Sequence, residues 1–181
     1  MATMTHQPVQ RIVLIGARGA GKTTVARLIA ERLDWSWIDA DGYLESKLQR
    51  TIREIFEQEG EPSFRMLEAL ALKELLVPEK RVVATGGGVV LDPTNRARLR
   101  AAGLVVWLTA DAATLWQRLQ ADRATPLQRP ALTNRGGLAE IEELLAAREP
   151  LYRECANCIV DTSSLPPNAV ADRIVSMVGS C

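Results

Sequence analysis

The stretch RIVLIGARGAGKTTVARLIAERL, residues 11–33, decides how the rest of the chain is read. RIVLI has the length and continuous apolar character of a buried strand. TVARLIAERL places apolar residues at helical spacing. Between them GARGAGKT, residues 16–23, fits G-x-x-x-x-G-K-[ST], and it sits in the strand–loop–helix setting that this phosphate-binding motif requires. The glycines let the backbone curl so that its N–H groups face phosphate at the positive end of a helix. Lys22 is placed to neutralise β- and γ-phosphates, and the Thr23 hydroxyl to ligate Mg²⁺. The loop predicts a bound nucleotide phosphate. It leaves open whether the phosphate is hydrolysed, used as a switch, or handed on.

Working outward, strands and helices alternate. WSWID is a second short strand ending at Asp39. A helical pattern runs from Gly42 to about Glu59 with a break at Arg50-Thr51. EPSFRMLEALALKELL is a further helix with a proline near its start. RVVAT is a third strand, stopped by Gly86 to Gly88. DPTNRARLRAA is a short helix with Asp92 as cap and Pro93 in the first turn. LVVWL is a fourth strand, followed by a helix from Asp111 to about Gln120. LAEIEELLAAREPLYREC is an amphipathic helix broken or bent at Pro150, NCIVD a fifth strand and PNAVADRIVSMV a last helix. This order predicts an α/β fold: a five-stranded parallel sheet covered on both faces, in three α/β/α layers. Residues 122–137 are the one long irregular stretch, a candidate mobile lid.

The 181 residues suit one domain, 1–181, with a substantial core. A formal net charge of zero argues against a nucleic-acid partner. No apolar run approaches the roughly 20 residues of a membrane span, and the polar N-terminus lacks a signal-peptide core. Three cysteines make no disulfide framework, so a cytoplasmic location is expected. Cys155 and Cys158 are read as packing residues, as are Trp35, Trp37, Trp107 and Trp116. The single histidine, His6, excludes Ser-His and Cys-His catalysis and a His-ligated metal site. The basic residues are mostly arginine, which suits an anionic substrate and equally a GC-rich genome.

Phosphoryl transfer needs positioning, charge neutralisation and exclusion of water more than covalent chemistry. The candidates for those tasks cluster at strand ends. Asp39 and Asp41 lie at the carboxyl end of the second strand, the edge that faces the ligand crevice in an open α/β sheet. If the extended backbone persists, residues two apart share a face. One could then hold Mg²⁺ through water and the other accept a proton from an attacking hydroxyl, the alternative being a helix cap at Asp41. Arg65 and Glu68, three apart on a helix, share a face, and taken as a lone pair they read first as a surface ion pair. The glycines at 86–88 suit a backbone that must approach a ligand closely, or a simple flexible turn.

Taken together, GARGAGKT, DAD, GEPSFRMLE, TGGG, QRPAL and REPLYRECA occur in an order that resembles the bacterial shikimate kinases of the nucleoside-monophosphate-kinase-like P-loop group, over residues 11–178. The resemblance implies transfer of a phosphoryl group from ATP, with Mg²⁺, to the 3-hydroxyl of shikimate in the route to chorismate and the aromatic amino acids. It implies that Gly19, Ala20, Gly21, Lys22, Thr23 and Thr24 hold the nucleotide and that Asp39 stands near Mg²⁺. Asp41 is then the candidate base. Arg65 and Arg148 clamp the shikimate carboxylate, Gly86, Gly87 and Gly88 hold the acceptor, and the substrate-binding region is placed at about 40–70. Arg129 is the lid arginine, and Arg118 with Pro167 lines the adenine. A monomer is expected, with shikimate and ATP as its only partners.

The sequence departs from the pattern in two places. The lid segment also carries Arg123 and Arg135, either of which could reach phosphate, and Arg18 lies within the phosphate loop itself. Two other functions compete. One is a kinase for another small hydroxy acid such as gluconate. The other is a catalytically idle, kinase-like sensor, which would be expected to carry a DNA-binding segment. A GTPase switch would need an N-K-x-D-like motif, which the sequence lacks.

Overall fold

The computed structural model describes residues 9–122 and 137–178. They form five strands and seven helices: β1 (Arg11–Ile15), α1 (Lys22–Leu33), β2 (Ser36–Asp39), α2 (Ala40–Leu48), α3 (Ile52–Leu75), β3 (Arg81–Ala84), α4 (Pro93–Arg100), β4 (Leu104–Thr109), α5 (Ala112–Ala121), α6 (Gly137–Cys155), β5 (Cys158–Asp161) and α7 (Pro167–Val178). The sheet is parallel throughout, in the order β2-β3-β1-β4-β5. The expected α/β architecture is therefore present, with β1 at its centre.

The continuous apolar run of β1 follows from that position. Alternate residues serve opposite faces of a strand. Ile12 and Leu14 join a cluster with α1, α5 and α7. Val13 and Ile15 join a second cluster with α3, α4 and α6. All four are fully buried, so neither face could tolerate a polar residue. A third, smaller cluster lies between α2 and α3, built on Leu44, Ile52, Ile55, Phe64 and Ala71.

Helix ends explain the remaining boundaries. Thr51 and Glu54 form a reciprocal capping box at the start of α3, where the break at Arg50-Thr51 was expected. Gly60, at φ 81° and ψ 173°, interrupts α3 just before Pro62, which separates the two helical patterns as the sequence predicts. Asp92 caps α4 through the N–H groups of Thr94 and Asn95, with Pro93 in the first turn. A 3₁₀ turn at Val89–Leu91 was not foreseen. Pro150 does not break α6, which runs on to Cys155. Ala146 and Pro150 both face solvent, so water can serve the carbonyl that a proline N–H cannot.

The packing roles expected of the cysteines hold: Cys155 is buried and Cys158 packs beside the first cluster. Trp107 is buried in the core, and Trp37 is exposed on the edge strand β2. No helix among the described residues is long and apolar enough to cross a membrane.

Candidate active site

Strand register brings the candidate residues to one edge. Leu14 pairs with Ala84, and Ala84 with Asp39, so the three strands end side by side. The segments that leave them are the phosphate loop, the glycine run and the start of α2. Thr85 fixes the junction: its N–H and its hydroxyl both donate to the Leu14 carbonyl, at 3.1 and 3.0 Å. A cavity of about 880 Å³ opens at this edge.

On the donor side the loop is shaped by its glycines. Gly16, Gly19 and Gly21 have φ of 137°, 84° and 87°, values that side chains disfavour. Gly21 precedes α1 without a side-chain cap, so the first-turn N–H groups are left for an anion. Lys22 is buried, and its ammonium donates to the carbonyls of Gly16 and Ala17 at 2.9 and 2.8 Å. Those bonds hold the charge against the mouth of the loop. Gly19, Gly21, Lys22, Thr23 and Thr24 line the large cavity, together with Arg18. Ala20 lines a second cavity of about 250 Å³ with Arg118 and Pro167. Gly21, Thr24 and Arg118 border both spaces. Arg118 is itself held by Thr162, donating to its hydroxyl at 3.0 Å and its carbonyl at 2.6 Å.

The two aspartates are brought together, but not by a shared strand face. The extended backbone stops at Asp39, and α2 begins at Ala40. Asp39 is the N-cap: Oδ1 accepts from the N–H groups of Asp41 and Gly42 at 3.0 and 3.1 Å. Its other oxygen accepts from the Thr23 hydroxyl at 2.5 Å, which ties α2 to the phosphate loop. The cap expected at Asp41 therefore belongs to Asp39. Asp41 stands in the first turn of α2 and lines the cavity beside Asp39.

On the acceptor side, Arg148 and Gly87 line the same cavity, and the Arg148 guanidinium donates to the Gly87 carbonyl at 3.4 Å. Arg65, Gly86 and Gly88 are not among the lining residues but adjoin them, the two glycines flanking Gly87 and Arg65 lying against Gly88. Arg65 lies so close to Gly88 that a Cβ there would come within 2.7 Å of Cζ. Its ion pair with Glu68, at 2.8 Å, is made as the spacing predicted, but not on the surface: Arg65 is mostly buried and Glu68 more so. Glu61 accepts from Nη2 at 2.8 Å and Nε at 3.1 Å. Burial opposes the charge on Arg65, and Glu68 and Glu61 outweigh it, so the pKa rises above its ordinary value. Three of the five N–H groups are thus committed to carboxylates, and two lie outside those bonds.

Two further residues at the site are not assigned to it by the sequence. Trp116, expected only to pack, lines the large cavity and lies 3.9 Å from where a Cβ of Gly137 would stand. Tyr152 also lines it, and its hydroxyl donates to the Gly87 carbonyl at 2.5 Å. Its place four residues after Arg148, on one helical face, was the available signal. Arg129, Arg123 and Arg135 fall outside the described residues.

Comparison with known proteins bears on this arrangement. A family model described as shikimate kinase matches residues 18–179. Shikimate kinase 2 of Yersinia enterocolitica is 41% identical over 169 residues, covering 93% of this chain and 95% of that protein. Shikimate kinase 2 of Photorhabdus laumondii is 43% identical over 157 residues, covering 87% and 89%. Among solved structures, shikimate kinase from Acinetobacter baumannii in complex with shikimate superposes with a TM-score of 0.88 at 37% identity, covering 95% of this chain and 94% of that one. A gluconokinase from Sinorhizobium meliloti reaches a TM-score of 0.61 at 16% identity, a likeness of fold alone.

Proposed function

The chain belongs to the shikimate kinase family, and from that premise we propose that it transfers the γ-phosphoryl group of ATP to the 3-hydroxyl of shikimate, giving ADP and shikimate 3-phosphate on the way to chorismate. The observation that carries this reading is the meeting of two half-sites in one cavity: the phosphate loop on one wall, Asp41, Gly87 and Arg148 on another.

The geometry supports the following division of labour. Nucleotide phosphates lie against the loop N–H groups of 19–24, with the Lys22 ammonium turned onto them. The adenine extends toward the smaller cavity at Arg118 and Pro167. Thr23 and Asp39 offer hard oxygen donors side by side, a set that fits Mg²⁺, which takes one or two protein oxygens and completes its shell from phosphate and water. When bound, the ion would neutralise charge on the β- and γ-phosphate oxygens. Asp41 accepts the proton of the attacking hydroxyl. Arg148, with the two remaining N–H groups of Arg65, grips the substrate carboxylate by charge-assisted hydrogen bonds. The glycine run lets the acid approach the backbone, and Gly86 to Gly88 supply N–H groups to it.

The lid assigned to about 122–137 rests on the long irregular stretch of sequence there, and Arg129 as its phosphate-facing residue on the pattern QRPAL. In this reading, closure would expel water and protect ATP from hydrolysis. The chain acts as one kinase domain, a monomer of the cytoplasm. A coupled ADP-release assay with Mg-ATP tests the reading, with shikimate and gluconate as alternative acceptors. Turnover that depends on shikimate is the expected result. Release of ADP independent of shikimate, or faster with gluconate, would refute it.

A further inference from the structure

Tyr152 is fully buried, and burial of a hydroxyl is costly unless it is paired. Packing alone would be met by phenylalanine. Its ring stacks on Trp107 of β4, with centroids 5.6 Å apart and planes 24° apart, so the ring is anchored to the sheet. The hydroxyl donates to a single carbonyl, that of Gly87. Arg148, one turn earlier on α6, donates to the same oxygen. Two donors from one helix therefore grip one peptide group in the middle of the glycine run.

That peptide group is the one most in need of a grip. Three consecutive glycines have no side chain to restrict rotation of the planes between them. A trans peptide is rigid, with its carbonyl and its N–H pointing in opposite directions, and the described residues include no cis bond. Fixing the Gly87 carbonyl thus fixes the direction of the Gly88 N–H. Gly88 in turn lies against the Arg65 guanidinium. From these contacts we infer that Tyr152 is a positioning residue for the acceptor: its hydroxyl sets the Gly87–Gly88 peptide plane, and so the N–H that the glycine run offers to the carboxylic-acid substrate. The inference rests on the acceptor reading given above. Burial is the largest influence on the phenol and pushes its pKa up to about 12, against the pull of Arg148. The hydroxyl therefore keeps its proton, and its role as a donor, throughout the neutral range.

The test is Tyr152→Phe, which keeps the ring on Trp107 and removes only the donor. Leu151→Ala, partly buried against the same core cluster, serves as the structural control. Steady-state ADP release is measured for wild type and both variants, varying shikimate and ATP separately, alongside urea unfolding. The expected result for Tyr152→Phe is a rise in the shikimate KM of roughly two- to tenfold, the range of one hydrogen bond, with the ATP KM within twofold of wild type. Leu151→Ala should lower the unfolding midpoint and leave the shikimate KM in place. An unchanged shikimate KM in Tyr152→Phe, an equal rise in both KM values, or a matching rise in Leu151→Ala each overturns the positioning role. Absence of shikimate-dependent turnover in the wild-type chain would instead overturn the reading beneath it.

Discussion

The two walls of the cavity are built in different ways. The donor wall is local. Its glycines, Lys22 and Thr23 lie within eight residues, and the Lys22 ammonium is held by carbonyls five and six positions away. The acceptor wall is assembled from α2, α3, the loop after β3, and α6. Its defining contacts join Arg148 or Tyr152 to Gly87, more than sixty positions apart in sequence. A local site comes almost free with the strand–loop–helix unit, because the same backbone that makes the turn makes the anion cradle. A dispersed site depends on helices docked on a sheet, and the small cluster between α2 and α3 that supports part of it is separate from the two sheet faces. The donor wall should therefore fail together with the fold, and the acceptor wall separately from it.

The largest effect is expected at the one point where the two walls meet in the chemistry. Asp41→Asn keeps the shape of the first turn of α2 and removes the proton acceptor. It should lower kcat by about 10²- to 10⁴-fold while nucleotide binding, read by ATP titration, stays near wild type. Near-native turnover would remove Asp41 from the base role and turn it over to another carboxylate of the cavity, Asp39 first. Gly16→Ala probes the donor wall. A Cβ there would overlap the Leu108 carbonyl oxygen, a backbone atom that cannot step aside, at a φ of 137°. Stability should fall by roughly 3 kcal/mol or more, with activity falling in step. A Gly16→Ala protein with a native unfolding midpoint would break the claim that loop and fold are one object.

What could be read in the sequence divides along the same line. The loop, its glycines, Lys22 and Thr23 were legible because spacing alone specifies them. So were the strands, since a parallel sheet buried on both faces leaves continuous apolar runs such as RIVLI and LVVWL. The acceptor residues entered as candidates with a competing structural explanation, because nothing local says that Arg65 and Gly88 touch. The Asp39–Asp41 pair was found for the wrong physical reason. A strand face was invoked, whereas the helix starts one residue after Asp39, and its cap and first turn aim both carboxylates at the cavity. Tyr152 was hidden because burial of a hydroxyl is visible only once its partner, Gly87, is located. Pro150 misled because exposure on a helix face, not the residue type, decides whether a missing N–H is costly.

Gly88→Ala is the acceptor-side counterpart of Gly16→Ala and should behave differently. Here the added Cβ would meet the end of the Arg65 side chain, not backbone, and φ at Gly88 is −98°. The guanidinium can rotate away, so the unfolding midpoint should shift little. Moving it costs one charge-assisted grip on the substrate, which predicts a shikimate KM raised by about tenfold or more and an ATP KM unchanged. Loss of stability comparable to Gly16→Ala would erase the distinction between the walls.

The smallest effect tests whether the support of the acceptor wall is separable from its chemistry. Thr51 starts α3 through the capping box, accepting from the Glu54 N–H at 3.1 Å, while the Thr51 N–H donates to the Glu54 carboxylate at 2.7 Å. The Thr51 N–H, and after it the Thr51 hydroxyl that donates to the same carboxylate oxygen at 2.9 Å, hold the Glu54 carboxyl below its usual range, and the hydroxyl bond is the one that Thr51→Ala removes. A depressed carboxylate pKa contributes stability that is present above its unfolded value and lost as pH falls through the folded one. Thr51→Ala should cost about 1 kcal/mol at neutral pH, and the difference from wild type should narrow on acidification below the ordinary glutamate range. Shikimate KM should stay within twofold, because α3 carries Arg65 beyond Gly60, on the far side of the break in the helix. If the KM rises with the lost cap, the segment before Gly60 transmits strain to Arg65, and the two halves of α3 act as one lever rather than two.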